Sequence, residues 1–271
     1  MKTHRYFLIC ILLLYVLADR PAVQAQSESA PSDSQTVLRV MCYNIRHGRG
    51  MDDVVDLTRT ANAIKAWNPD VVAVQEVDRN TARTNRTDQP KILAEKLGMH
   101  YAFGKAIDHQ GGDYGLLILS RFPILDHQMI LLPQEGQREQ RGLQIARIGI
   151  PDATGKIIRL ANTHLGLSQT EREAQFDKIK VLLSEGDEPV ILAGDFNVRP
   201  NNPLVVNLLE TWKDADDPAL GKNVTPNVQS RFGRIDYIFF RADDPFEVLE
   251  SGTINDSITS DHMPIFSIFA L

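Results

Sequence analysis

A mixed α and β domain is the fold class this sequence predicts, on three observations. Apolar runs rich in Val, Ile and Leu alternate with segments whose apolar residues fall at helical spacing. Twice, a helix-like segment passes through an acidic, Pro-containing turn into such a run: Asn68-Pro69-Asp70 leads to a strand ending in Glu76, and Asp187-Glu188-Pro189 to one ending in Asp195. Two such units fit two similar sheet halves packed face to face. About 235 residues follow the N-terminal segments, which suits one large domain, and no shift in composition marks a second.

Residues 1–25 read as an export signal. Lys2 and Arg5 flank its start, Phe7 to Leu17 form an apolar core, and Val23-Gln24-Ala25 offers small residues for cleavage. The apolar stretch is short for a membrane span, although a retained N-terminal anchor is the alternative. Cys10 lies inside that core, not at its end, which speaks against a lipoprotein cleavage box. Residues 26–36, rich in Ser, Gln and Ala, read as a linker, and 37–271 as the domain. The expected location is therefore periplasmic or extracellular. Loss of residues 1–25 leaves 26 Lys and Arg against 34 Asp and Glu, a net charge of −8. A protein that grips a long polyanion is usually basic. Cys42 alone remains of the two cysteines, which rules out an internal disulfide and suits a buried core residue.

In order, strands are expected near 37–45, 71–76, 101–107, 115–120, 124–132, 142–150, 156–164, 189–195, 235–241, 246–251 and 262–269. One helix is expected from about Asp56 to Trp67, with Leu57, Ala61, Ile64 and Trp67 on one face. A second begins at Ser168, where Ser168 and Glu171 have capping-box spacing, and turns Phe176, Ile179, Leu182 and Leu183 inward. A third, weaker in pattern, covers about 202–212. Asp78 to Gln89 has no apolar period and reads as a polar loop overhanging the end of the Glu76 strand.

Chemistry gathers where the strands end. Asn44, Glu76, His164 and the pair Asp195 and Asn197 close four apolar runs, and Asp261-His262 opens the last one. Phosphoester hydrolysis needs the phosphoryl charge offset, a water deprotonated and aligned, and the leaving oxygen stabilised. Magnesium takes hard oxygen ligands, often only one or two carboxylates. Glu76 and Asp261 are assigned as its ligands, with Asn44 adding an amide oxygen. Asp195 holds the attacking water, and Asn197 donates its amide NH2 to a phosphate oxygen. His164 and His262 stand out by position, whereas His4, His100, His109 and His127 do not. Asp236, entering an apolar strand, is expected to pair with His262 and keep it charged.

The ordered set Asn44, Gln75-Glu76, Thr163-His164, Gly194-Asp195-Phe196-Asn197, Arg234-Ile235-Asp236-Tyr237 and Ser260-Asp261-His262 resembles the endonuclease/exonuclease/phosphatase superfamily from about Leu38 to Phe269. That resemblance implies an α+β fold, a four-layer α/β/β/α sandwich with two central, mostly antiparallel β-sheets, as in deoxyribonuclease I. It implies a single dominant divalent-metal site, Mg2+ or Mn2+, with Glu76, Asn44 and Asp261 on the metal. Asp195 then falls on the water, Asn197 and His262 on the phosphate, and Asp236 behind His262. His164 matches a position held by histidine in deoxyribonuclease I and tyrosine in apurinic endonucleases, and Asp113 is a candidate carboxylate partner for it.

Arg46, with His47 and Arg49, follows Asn44, while Arg79, Arg83 and Arg86 follow Glu76. Both groups either border the cleft and bind further anionic groups or simply face water. The expected activity is that of an exported, metal-dependent phosphodiesterase using in-line attack by water. The expected substrate is a phosphoester, whether small molecule, lipid head group or nucleic acid, met by a monomer without an obligate protein partner. A secreted nuclease, or a non-catalytic module that captures a phosphorylated ligand, are the alternatives. A nuclease needs an extended basic track, and a lipid phosphodiesterase an exposed apolar lip beside the cleft.

Overall fold

Successive side chains of a strand point to opposite faces, so a strand apolar on both faces is covered from both sides. That holds for the central strands here. In a computed structural model, residues 36–151, 155–220 and 233–271 are described; the expected signal segment and nearly all of the linker lie outside them. The strands are β1 (Val37–Asn44), β2 (Val71–Arg79), β3 (His100–His109), β4 (Gly112–Ser120), β5 (Ile124–Leu131), β6 (Gly142–Gly149), β7 (Ile157–His164), β8 (Val190–Asp195), β9 (Trp212–Asp214), β10 (Asp236–Arg241), β11 (Glu247–Thr253) and β12 (Ile265–Ala270). The helices are α1 (Leu57–Trp67), α2 (Gln89–Leu97), α3 (Gln169–Ser184) and α4 (Pro203–Leu208).

Among the described residues the strands form two six-stranded sheets, ordered β11-β12-β1-β2-β4-β3 and β5-β6-β7-β8-β10-β9. Each holds one parallel pair, β1 with β2 and β7 with β8, and the other neighbours are antiparallel. Alternating residues sort into three apolar layers. Val40, Cys42, Val71, Ala73 and Ile118 of one sheet meet Ile148, Leu160, Ile191 and Phe240 of the other. The outer face of the first sheet, with Met41, Tyr43, Val72 and Val74, packs on Leu57, Ala61 and Ile64 of α1 and Leu93 of α2. The outer face of the second, with Ala161, Leu192 and Phe239, packs on Phe176, Ile179 and Leu183 of α3 and Leu208 of α4. The result is the four-layer sandwich.

Three local expectations are corrected. The sequence predicts no helix over 89–97, yet Asp88 caps α2 through the Lys91 N–H at 3.2 Å, Pro90 sits in its first turn, and Gly98 ends it in the left-handed conformation. The third helix stops at Leu208, and Trp212 instead begins the edge strand β9, where Arg241 of β10 pairs with it. Ser168 makes no capping bond; its hydroxyl donates to Glu135 Oε2 at 2.6 Å. Asp78 to Gln89, expected as a polar loop, holds the end of β2 and one 3-10 turn over Ala82–Thr84, and is tied internally. Asp78, Thr81, Thr84 and Gln89 are buried there, and Arg83 donates to both Asp78 oxygens at 2.7 and 2.8 Å.

Candidate active site

The carboxyl ends of a parallel strand pair and the amino ends of its antiparallel neighbours lie on one edge of a sheet. Here Asn44 ends β1 opposite Gln75, His164 ends β7 opposite Asp195, and Asp236 opens β10 opposite Asp195 as well. His262 and Arg141 lie just before β12 and β6, which run antiparallel to β1 and β7. Ligands in open α/β sheets favour such an edge. A cleft of about 610 Å3 opens there, lined by Glu76, His164, Asp195, Asn197, Asp261 and His262 among others.

Glu76 reaches the cleft because β2 is irregular. Its pairing with β4 breaks between Val74 and Val77, and Glu76 takes a left-handed φ of 58°. A bulge of this kind bends the strand and re-aims a side chain, at a backbone cost of order 1–3 kcal/mol for a non-glycine residue. The carbonyls of Val74 and Leu117, at the break, accept from Asn162 Nδ2 of the opposite sheet at 3.0 and 3.1 Å, while Gln75 Nε2 donates to Asn162 Oδ1 at 2.7 Å. Glu76 accepts one hydrogen bond from Asn44 Nδ2 at 3.1 Å and, among the described residues, has no ion pair within 4.0 Å. Burial pushes its carboxyl above the usual range. Asn44 also donates to Asp195 Oδ2 at 3.1 Å, and its Oδ1 accepts the Arg46 backbone N–H. It therefore offers Glu76 its amide nitrogen, whereas an amide oxygen was expected to face a metal.

Asp195 is the point on which the second half converges. It is buried, takes the Asn197 N–H on Oδ1 at 3.0 Å, and has His164 Nε2 at 3.5 Å and His262 Nε2 at 3.7 Å from Oδ2. Burial, then repulsion from Asp236, push it up to about 7, against the opposing pull of His262 and the two hydrogen-bond donors. His262 Nδ1 donates to Asp236 Oδ2 at 2.8 Å. Burial works against a charged ring, but Asp236, Asp195 and Asp261 outweigh it and lift His262 to about 10. His164 has the opposite fate: burial, then Arg141 and His262, hold it well below its ordinary value. Arg141 Nη1 lies 3.0 Å from His164 Nδ1. An arginine can only donate, so Nδ1 accepts and the ring proton sits on Nε2, facing Asp195.

One oxygen or nitrogen from each of Asp195, Asp236 and His262 lies within 4.8 Å of the others, close enough to hold a metal ion. A protonated imidazole has no lone pair to give, however, and His262 Nδ1 is already committed to Asp236. The under-satisfied Glu76, facing the same cleft as Asp261, suits a hard cation better.

The sequence-derived residues divide by position. Asn44, Glu76, Asp195, Asn197, Asp236, Asp261, His262 and His164 gather at this edge. Asn197 Nδ2 spends one bond on the Leu165 carbonyl at 3.0 Å. Of the arginines, Arg83 lines the cleft. Arg46 stands beside Asp261, its Nε 3.8 Å from the carboxylate. Arg79 is turned to Asp113 at 2.6 Å and lies over Phe103, and Arg86 is spent on the carbonyls of Asn80, Gln110 and Gly111. Asp113 is accordingly no partner of His164: it binds Arg79 and Lys105. Sequence reasoning missed Arg141, Arg199, Leu167 and Tyr114 as lining residues and set His109 aside, although it too lines the cleft. His109 lies at the tip of the β3–β4 hairpin. Arg141 and Tyr114 are found by asking what opens the antiparallel neighbours of the site strands.

The profile of the Endonuclease/Exonuclease/phosphatase family matches residues 41–262. Over 185 residues the chain is 30% identical to the uncharacterized protein YbhP of Escherichia coli strain K12, spanning 64% of this chain and 72% of YbhP. Protein angel homolog 2 of Bos taurus is 27% identical over 192 residues, 64% of this chain but 34% of that protein. Among solved structures, an endonuclease/exonuclease/phosphatase from Beutenbergia cavernae superposes with a TM-score of 0.68 at 25% identity, covering 87% of this chain and 72% of the other. A family protein from Bacteroides thetaiotaomicron gives a TM-score of 0.73 at 21% identity, covering 88% and 98%, a likeness of fold.

Proposed function

The chain belongs to the endonuclease/exonuclease/phosphatase family, and from that premise we propose that it is an exported, divalent-metal-dependent phosphoester hydrolase, a phosphodiesterase in which water attacks phosphorus directly. The observation that carries this reading is the convergence of Asn44, Asn197, His164 and His262 on Asp195, in the cleft that also receives Glu76. Glu76 and Asp261 would hold Mg2+ or Mn2+, which when bound offsets charge on the phosphoryl and leaving oxygens. Asp195, pushed up to about 7, takes a proton from water near neutral pH. His262, kept charged by Asp236, and the remaining Asn197 N–H face the phosphate oxygens. Neutral His164 directs Nε2–H toward Asp195 and steadies it. The N-terminal pattern supports export, with a mature chain starting near Gln26.

Magnesium-dependent turnover of bis-p-nitrophenyl phosphate, abolished by EDTA, is the expected result. In parallel, Mg2+ should raise the thermal midpoint of the natural protein and not that of Glu76→Gln, since a ligand bound only by the folded state stabilises it. No turnover with either metal would leave a phosphate-binding module as the better reading, and an equal midpoint rise in Glu76→Gln would move the metal elsewhere.

A further inference from the structure

Two histidines face Asp195, and what stands behind their rings differs in kind. Behind His262, Nδ1 meets a carboxylate, Asp236 Oδ2 at 2.8 Å, a common partner for an imidazole that carries a proton there. Behind His164, Nδ1 meets a guanidinium, Arg141 Nη1 at 3.0 Å. Arg141 is held for that contact. Its carbonyl accepts from the Leu132 N–H at 2.9 Å and from Gln140 Nε2 at 2.8 Å, which carries the β5–β6 pairing one step beyond the strands. On the neighbouring strand the Thr163 hydroxyl donates to the Gly142 carbonyl at 3.0 Å, so the residues next to both partners are tied as well. The Arg141 side chain is 11% exposed, its Nη1 also meets Glu139 Oε1 at 2.7 Å, and its buried Nε has no hydrogen-bond partner among the described residues. Buried donors are ordinarily paired. Arg141 forgoes one bond and keeps its aim at the imidazole.

The contact constrains the ring. A guanidinium only donates, so Nδ1 must keep its lone pair and the single ring proton sits on Nε2, 3.5 Å from Asp195 Oδ2. A second proton would set two cations 3.0 Å apart in a buried place. Burial, Arg141 and His262 all oppose it. Asp195 is the carboxylate that faces this ring, and it lies on the side where the proton already is. Had a carboxylate stood at Nδ1, as expected of Asp113, the ring could load a proton and pass it to a departing oxygen. Behind an arginine it cannot.

We infer that Arg141 is a positioning residue: it fixes His164 as a neutral ring with its proton on Nε2, so that His164 orients Asp195 and takes no part as the acid toward the departing oxygen. The inference rests on the hydrolase reading above and gives the two histidines opposite parts, a cation at His262 and a fixed neutral donor at His164. It also gives Arg141 a part that requires no contact with the phosphate.

Ring-15N-labelled histidine, read by NMR in EDTA with His164→Gln to assign the signal, tests the arrangement without turnover. His164 should show a bare Nδ1 and a protonated Nε2 from about pH 6 to 8. Arg141→Met keeps the bulk and loses the donor. It should give a protonated or mixed Nδ1 and lower kcat on bis-p-nitrophenyl phosphate roughly ten- to a hundredfold, with KM little changed. Arg141→Lys restores a donor and a charge and should recover the tautomer and most of kcat. A protonated Nδ1 in the natural protein, an unchanged tautomer in Arg141→Met, or a rise in KM with kcat intact would each overturn the inference, the last by making Arg141 a substrate contact. If Arg141→Met does not fold, the natural protein and Arg141→Lys still decide. No turnover by the natural protein would strike the hydrolase reading instead, with the tautomer still deciding what Arg141 does to His164.

Discussion

The two sheets are built on one plan and end in different chemistry. In each, a strand, a helix and a parallel strand (β1-α1-β2, β7-α3-β8) are followed by a short helix and a hairpin partner that pairs back. An antiparallel hairpin flanks the unit in both, β5-β6 from just upstream and β11-β12 from the far end of the chain. At matching strand ends the first half places Asn44 and Gln75-Glu76, the second His164 and Asp195. Glu76 leaves the ladder through a bulge and meets one donor; Asp195 stays in register and is surrounded by four groups. By register Asp195 matches Gln75, so the first half carries its anion, short of partners, one residue past the matched position, and the second holds a preorganised proton acceptor at it. Residue type at the matched position and the bulge beside it together make the difference.

Three predictions probe that contrast. Asp195→Asn should lower turnover roughly hundredfold or more. In EDTA above pH 8 the variant should be no less stable, because a carboxyl raised by burial penalises the charged fold as pH climbs past its unfolded value. Native-like turnover in that variant would end the distinction between the halves.

The next effect is on stability. His262 has a folded pKa of about 10 against an ordinary 6.5, so its pairing with Asp236 contributes fully below about 6.5 and is lost as pH rises through about 10. Asp236→Asn should therefore cost up to about 3–5 kcal/mol at pH 6, narrowing at the alkaline end, in denaturant unfolding with EDTA. A cost independent of pH would mean the pair is not ionised. The smallest effect separates two arginines of the connection after β2. Arg83→Ala should raise KM several-fold because Arg83 lines the cleft, whereas Arg86→Ala, which only loses bonds to carbonyls, should leave KM alone and cost about 1 kcal/mol.

Much of this was legible in the sequence because β-strands deliver their termini to one edge and apolar runs announce where they stop. The strands ending in Glu76 and Asp195 read as repeats of one unit, since each follows a helix and a Pro-containing turn, though the register sets Asp195 against Gln75. α2 escaped notice because it is nine residues long and opens on Gln-Pro, so its two buried leucine and alanine positions made no visible period. The loop arginines could not be sorted, as their fates depend on carboxylates and carbonyls remote in sequence: Asp113 for Arg79, Gly111 for Arg86. Arg141 belongs to no motif in the sequence; only its place beside His164, remote along the chain, marks it.

The bulge at Gln75-Glu76 has a consequence for how the halves can change. Two carbonyls at the break take a donor from the other sheet, Asn162, which sits two residues from His164. Aiming one carboxylate thereby fastens the two sheets in a fixed alignment at the cleft, where hydrocarbon contact alone would tolerate sliding. Neither half can drift by mutation at this point without the other, since a leucine at 162 would remove both cross-sheet bonds and loosen the spacing between the reactive groups at once.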